Sequence, residues 1–314
     1  MDNRNNYQLA LPYIYLTVVP LIWSGNFIIG KVLIESLPPF SITTGRFFVG
    51  ALILGLMLLC KKDRAKLNRN VKIKVLILGL TGVFAFNSLI YIGLKYTTAI
   101  NATLINSFNP IVTLYFSWLF LKENISFKQI MGSLVSIIGI VIIECQGSWA
   151  ILYSLNFNIG DLIIFIDTFI WAVFVILGKN VMSSLSPMET TTYSIFAGLP
   201  FLFLATGWEA SGTQIILSWP IVAGILYLGV FATVLAFIWY YKGIQLVGVA
   251  KSANFYNLIP VYSMFLAVFF LQEQITLYHI IGGLSVVLGI LISSSKLGLT
   301  TLRRSEDTKV KGNI

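Results

Sequence analysis

Ten stretches of mostly apolar residues, parted by short polar connections, constrain this chain more than any other feature. A hydrocarbon layer about 30 Å thick takes roughly 20 such residues per helix. The stretches lie near 11–31, 40–60, 74–94, 98–121, 126–144, 159–178, 188–206, 217–241, 249–271 and 277–295. Only Lys95-Tyr96-Thr97 parts the third from the fourth, and only the residues around Gln245-Leu246-Val247-Gly248 part the eighth from the ninth. Connections that short join antiparallel neighbours. Charge content agrees, since 57% of the 314 residues are apolar and 11% charged, whereas a surface facing water carries roughly 25%. A cytosolic enzyme, a disulfide scaffold and a disordered chain are excluded. The fold class expected is an all-α integral membrane protein with ten transmembrane helices.

The net charge of +9 is not spread as a nucleic-acid footprint would be. Lys61, Lys62, Arg64, Lys66, Arg69, Lys72 and Lys74 crowd one connection, and Lys296, Arg303, Arg304, Lys309 and Lys311 crowd the tail. Clusters beside apolar spans hold loops against anionic lipid on the cytoplasmic side. With the N-terminus inside, every Lys and Arg falls on the inner face except Lys31, Lys95 and Arg46, which lies within the second span. Both termini are therefore expected in the cytoplasm, and the protein in a plasma (bacterial inner) membrane. Trp149, Trp208 and Trp219 then mark outer connections. Cys60 and Cys145 fall on opposite faces and have no partner in each other. The first span is too long for a cleaved signal, contains Pro12 and Pro20, and lacks a small-x-small site.

The chain also repeats itself. Trp23, Gly30 and Lys31 recur as Trp171, Gly178 and Lys179, and Pro39 with Thr43 and Thr44 recurs as Pro187 with Thr191 and Thr192. Further on, Gly93 matches Gly243 and Pro110 matches Pro260. Leu121-x-Glu123-x-Ile125 matches Leu271-x-Glu273-x-Ile275, and Gly132 with Gly139 matches Gly282 with Gly289. Each copy holds five spans, an odd number, so the copies are expected to enter the membrane in opposite directions. The units are 11–144 and 159–295, followed by a basic cytoplasmic tail, 296–314. Inverted repeats suit a carrier, because two like halves can exchange conformations around a central site.

In order and spacing, these residues resemble a pair of EamA domains of the drug/metabolite transporter superfamily, over about residues 12–295. The carriers are Trp23-Ser-Gly-Asn-Phe, Arg46, Gly93-Leu-Lys-Tyr-Thr-Thr-Ala, Pro110, Leu121-Lys-Glu-Asn, Gly160-Asp161 and Leu271-Gln-Glu-Gln. The resemblance implies a ten-helix secondary carrier of small organic solutes such as amino acids, often an exporter. Members of that family usually carry a small apolar residue where this chain has Asp167.

Spans 4 and 9 are the most polar of their halves. Ala102, Asn106, Pro110 and Thr113 share one helical face, matched by Ser252, Tyr256, Pro260 and Ser263. Asn106, Asn254 and Asn257 are too costly to face lipid, so they line a cavity or bond another helix. Pro110 and Pro260 each remove a backbone donor at matched positions, as paired hinges or as simple helix shaping. Asp167 falls near the midplane of span 6, where an ionised carboxylate is expensive unless paired or hydrated. It is the candidate proton-coupling group, with a structural pairing as the alternative. Arg46, about 10 Å into span 2, either grips a substrate carboxylate or snorkels outward. Trp23, Asn26, Tyr91, Trp171 and Tyr240 complete the candidate substrate site, as stacking surfaces or as packing. Asp161, Glu144 and His279 read as span-end residues.

With one histidine, no phosphate loop and no acidic metal cluster, no enzyme activity, cofactor or metal is expected. The expected partners are a small-molecule substrate, the lipid bilayer and a proton as coupling ion, with no nucleic acid. A non-catalytic scaffold and, behind it, a membrane-embedded enzyme are the competing readings. The orientation is testable by single-cysteine labelling at Arg64 in a chain with Cys60 and Cys145 replaced. An impermeant reagent is expected to reach it only in permeabilised cells, and labelling of intact cells would reverse the topology.

Overall fold

Helices make up the ordered architecture of this computed structural model, which describes residues 2–97, 99–154, 158–209, 218–271 and 276–294. The basic tail and the copy of the glutamate motif at Glu273 lie outside the described residues, as do Thr98 and the side chains of Asn101 and Thr103. Helix α1 (Asp2–Ile34) leads through a short turn into α2 (Pro39–Cys60), which carries Pro39 in its first turn. A proline there costs nothing, because the first amides of a helix have no acceptor. The long α3 (Arg69–Tyr96) is followed by α4 (Ala99–Asn106), α5 (Asn109–Leu121) and α6 (Phe127–Glu144). A short α7 (Trp149–Tyr153) precedes α8 (Ile159–Val181) and α9 (Pro187–Glu209). The last elements are α10 (Trp219–Val247), α11 (Val249–Ala253), α12 (Leu258–Leu271) and α13 (Leu277–Ser294).

Among the described residues, eight helical stretches are long and apolar enough to cross a membrane: Ala10–Ile34, α2, α3, Leu104–Leu121, α6, α8, α10 and α13. The expected spans 7 and 9 are helical but fall outside that group. Helix α9 opens with Glu189, Thr190, Thr191 and Thr192, all buried. The run from Val249 onward is broken at Asn254–Asn257 by a 3₁₀ turn.

Three irregularities recur at the separation seen in the sequence repeat. Helix α3 widens to a π-helix over Gly79–Phe86, and α10 does so over Leu228–Leu235. Insertions of this kind cluster at functional sites. Here the Asn87 amide donates to the Gly82 carbonyl at 2.5 Å, and the Thr233 hydroxyl to the Leu228 carbonyl at 2.9 Å. Breaks fall just ahead of both Pro110 and Pro260: a tight turn at Ser107 and Phe108, and the 3₁₀ turn at Asn254–Asn257. Finally, Gly30 faces the ring of Tyr91, and Gly178 faces the ring of Tyr241.

Helices α6 and α13 cross through their small residues. A Cβ on Gly139 would lie 2.5 Å from the Gly282 carbonyl oxygen, and one on Gly282 2.6 Å from that of Gly139. The Ser136 hydroxyl donates to the Val286 carbonyl at 3.2 Å. Close approach of this kind is how helices associate where lipid removes the hydrophobic drive. Elsewhere α2 packs on α9 and on the π-segment of α10, α8 on α3, α4 and α5, and α1 on α10 and α12.

Candidate functional site

The geometry of the site begins with Arg46. It is not at an interface: only 2% of it is exposed. Its Nε donates to Thr233 Oγ1 at 3.0 Å. One terminal nitrogen donates to Asn26 Oδ1 at 2.9 Å and Asn87 Oδ1 at 3.2 Å, and the other to the Ala232 carbonyl at 3.2 Å. The partners come from α1, α3 and α10. Two of them, Asn87 and Thr233, also donate to carbonyls within the two π-segments. Sequence reasoning found Arg46 and Asn26 but not Asn87 or Thr233; their signal was a polar residue beside a glycine-containing span in each half.

Above this hub sits an aromatic cluster. The Trp23 indole donates to the Ala232 carbonyl at 3.2 Å. Its ring lies 5.5 Å from Trp171, 5.3 Å from Tyr240 and 5.9 Å from Tyr256. Trp171 in turn packs at 5.5 Å from Tyr256 and 4.6 Å from Phe86. Tilted and edge-on contacts are the favoured arrangements for such rings. A narrow void of about 30 Å³ lies between the cluster and Arg46.

A much larger cavity of about 640 Å³ opens beyond it, between α1, α3, α4 and α12. Tyr91, Tyr256 and Ile259 line both spaces. Asn106, Asn257 and Ser263 form a polar wall of the large cavity, with Pro260, Glu35 and Glu144 also on its lining. A third hollow, bounded by Glu35, Leu94, Lys95, Pro38, Pro39 and Glu209, continues it outward. Sequence reasoning placed Glu144 at a helix end only; the cavity extends far enough to reach that end.

The predicted site residues divide here. Asn257 is 1% exposed and neither polar atom of its amide has a hydrogen-bond partner. Asn106 accepts from the Asn109 amide at 3.1 Å. Asn254 instead accepts from the Ser133 hydroxyl at 2.5 Å, tying the 3₁₀ turn to α6. Pro110 sits in the first turn of α5 and does not line the cavity, whereas Pro260 does. Asp167 is fully buried, and neither carboxyl oxygen has a hydrogen-bond partner.

The two ends of the molecule differ. At the cavity end, Asp161 is bonded by the Thr97 hydroxyl, and Glu209 accepts the Phe40 amide at 2.8 Å. The opposite end is tied together by hydrogen bonds. The Glu123 carboxylate accepts the amides of Val249 at 3.2 Å and Ala250 at 3.0 Å, and the Ser117 hydroxyl at 2.7 Å. Gly248 makes that approach possible at φ +88°, a conformation side chains other than glycine rarely adopt. The Lys61–Glu189 ion pair, at 2.9 Å, and the Ala65 amide on Glu189, at 3.0 Å, fasten the basic connection at the same end.

The sequence profile of the EamA-like transporter family matches residues 10–145 and 158–295. The chain belongs to this family. It is an integral membrane protein and a transporter of small molecules. An uncharacterized transporter of Bacillus subtilis, YyaM, is 28% identical over 301 residues, covering 95% of this chain and 98% of the relative. One of Archaeoglobus fulgidus is 27% identical over 285 residues, covering 90% and 97%. An S-adenosylmethionine/S-adenosylhomocysteine transporter of Chlamydia trachomatis is 26% identical over 135 residues, covering 43% of this chain and 41% of the relative. A solved crystal structure shares the fold at a TM-score of 0.75 and 17% identity, covering 90% of this chain and 98% of its own.

Arg46 and Asn257 are expected to respond oppositely to substitution. Arg46→Lys keeps the charge but has no planar fork to reach four acceptors. It is expected to cost about 3 kcal/mol and to lower the melting temperature in detergent. Asn257→Ala, which breaks no hydrogen bond in the fold, should leave melting within about 1 kcal/mol of the parent while impairing solute movement.

Proposed function

We propose that this EamA-family chain is a secondary active transporter that moves a small organic metabolite, such as an amino acid, by alternating access. The observation that carries the reading is a cavity open at one end of the molecule and clasped shut at the other. Ten membrane helices, arranged as inverted units 11–144 and 159–295, form the frame, with both termini and the tail 296–314 in the cytoplasm of a bacterial inner membrane. Paired π-segments, paired breaks ahead of Pro110 and Pro260, and reciprocal glycine crossings of α6 and α13 support that frame. In this frame the open mouth faces outward and the Glu123 clasp closes the inner side. Pro110 and Pro260 act as hinges, since helices already broken at those points can swing without losing further hydrogen bonds. Export is the direction that the family resemblance implies.

Asn106, Tyr256 and Asn257 meet the solute in the open cavity. Trp23, Asn26, Arg46, Tyr91, Trp171 and Tyr240 form the floor it reaches as the cavity switches. A cavity of about 640 Å³ lies within the range of small-molecule sites. It has room for solutes as large as the S-adenosylmethionine carried by the Chlamydia relative. A scaffold has no use for an orphan amide such as Asn257 on the wall of a cavity.

Asp167 supplies the coupling in this reading. It faces neither cavity in the outward-open state, so it exchanges its proton only as the helices around it move, which is what coupled exchange requires. The test is transport in proteoliposomes. Wild-type protein is expected to accumulate solute under a pH gradient and to catalyse counterflow. Asp167→Asn, equal in volume, is expected to keep counterflow and lose pH-driven accumulation. Unchanged accumulation in Asp167→Asn would remove Asp167 from the coupling, and no movement of any solute from a broad metabolite panel would contradict the transporter reading.

A further inference from the structure

The large cavity is lined by acidic side chains. Its ionisable lining residues, tyrosines apart, are Glu35 and Glu144, both carboxyl groups. Among the described residues the ion pair found is Lys61–Glu189, at the far end, and none is found at Glu35 or Glu144; the side chain of Lys31, one helical turn before Glu35, lies outside the described residues. Two cations whose side chains are described stand near the cavity but do not line it. Lys95 stands in the outer hollow with Glu35 and Glu209. Arg46 lies beyond the narrow void, its nitrogens engaged by Thr233, Asn26, Asn87 and the Ala232 carbonyl.

A second and independent feature points to a bound molecule. Asn257 lines the same cavity, is almost wholly buried, and has both a donor and an acceptor without partners. Buried amides are normally paired, so this one is left for something that enters the cavity. Tyr91 and Tyr256 add aromatic surface to the wall, and aromatic faces attract cations as well as flat apolar bodies.

We propose that the cavity selects solutes bearing a positive charge on an aromatic or apolar body. The inference rests on the cavity being the transport path. The cation pairs with Glu144 and Glu35 toward the mouth, the body lies along Tyr91 and Tyr256, and Asn257 bonds the polar edge of the body. A carboxyl such as Glu144, between apolar walls and with no ion pair among the described residues, gains most from a cation, because the low local dielectric strengthens the attraction. The same walls penalise an anion. The Arg46 guanidinium beyond the constriction repels a second positive group, so the charge stays at the outer end of the bound solute.

Three probes of one size test this: tyramine, tyrosol and 4-hydroxyphenylacetate share a phenol ring and differ in end-group charge. Binding to the full-length protein in nanodiscs is read by thermal shift and by competition. The expected order is tyramine tightest, by about tenfold over tyrosol, with the carboxylate weakest. Glu144→Gln is expected to cancel most of the tyramine advantage and leave tyrosol binding unchanged; Glu35→Gln serves the same purpose if the first variant fails to fold. Tightest binding by 4-hydroxyphenylacetate, equal binding of all three, or binding by none at millimolar concentration would overturn the charge preference. So would a loss shared equally by tyramine and tyrosol in Glu144→Gln. The underlying reading fails separately: Ser263→Cys blocked with a bulky maleimide should stop counterflow of every solute, and continued counterflow would show that the cavity is not the path, whatever its charge preference.

Discussion

A buried guanidinium joins the two halves of this protein. Arg46 takes its acceptors from α1, α3 and α10, and all of them are neutral. Burying an ion without an opposite charge is tolerable only when its donors are satisfied. That demand fixes where Asn26, Asn87, Thr233 and the Ala232 carbonyl must stand. At each π-segment one side chain, Asn87 or Thr233, both donates to a carbonyl of the segment and accepts from the arginine. The aromatic cluster follows in turn, since the Trp23 indole shares the Ala232 carbonyl with Arg46.

Above that fixed floor the structure is built of breaks. The turn at Ser107 and Phe108 and the 3₁₀ turn at Asn254–Asn257 interrupt the helices that wall the cavity. At the far end the closure is a carboxylate on two amides and a hydroxyl. Such charge-assisted bonds are strong enough to hold one state, yet they can be exchanged for water when the end opens. The buried arginine hub thus stands between the cavity and hydrogen bonds that water can replace.

Much of this was legible in the sequence, for reasons that can be named. Apolar runs the length of a bilayer announce helices, and the matched Trp23/Trp171, Gly30/Gly178 and Pro110/Pro260 pairs announce two like units. Arg46 and Asp167 stood out as charges at depth. Their surroundings did not, because acceptors such as Thr233 are brought in from distant parts of the chain by packing alone. Asn254 shows a different limit. Reading faces at 3.6 residues per turn sets it among the polar residues of span 9, but the 3₁₀ turn changes the pitch there and directs it to Ser133. Glu144 was read as an interface residue because it ends its helix; only the shape of the cavity shows that this end lines it.

The central claim is that the two ends open in alternation. Spin labels at Lys122 and Gln245 report on the Glu123 clasp, and labels at Ser36 and Ser148 span the mouth of the cavity. Electron–electron distance measurements on both pairs in proteoliposomes, with and without a transported solute, test the claim most directly. The account predicts reciprocal shifts, with one pair lengthening as the other shortens. Distances that stay single and unmoved, or that lengthen together, would contradict it.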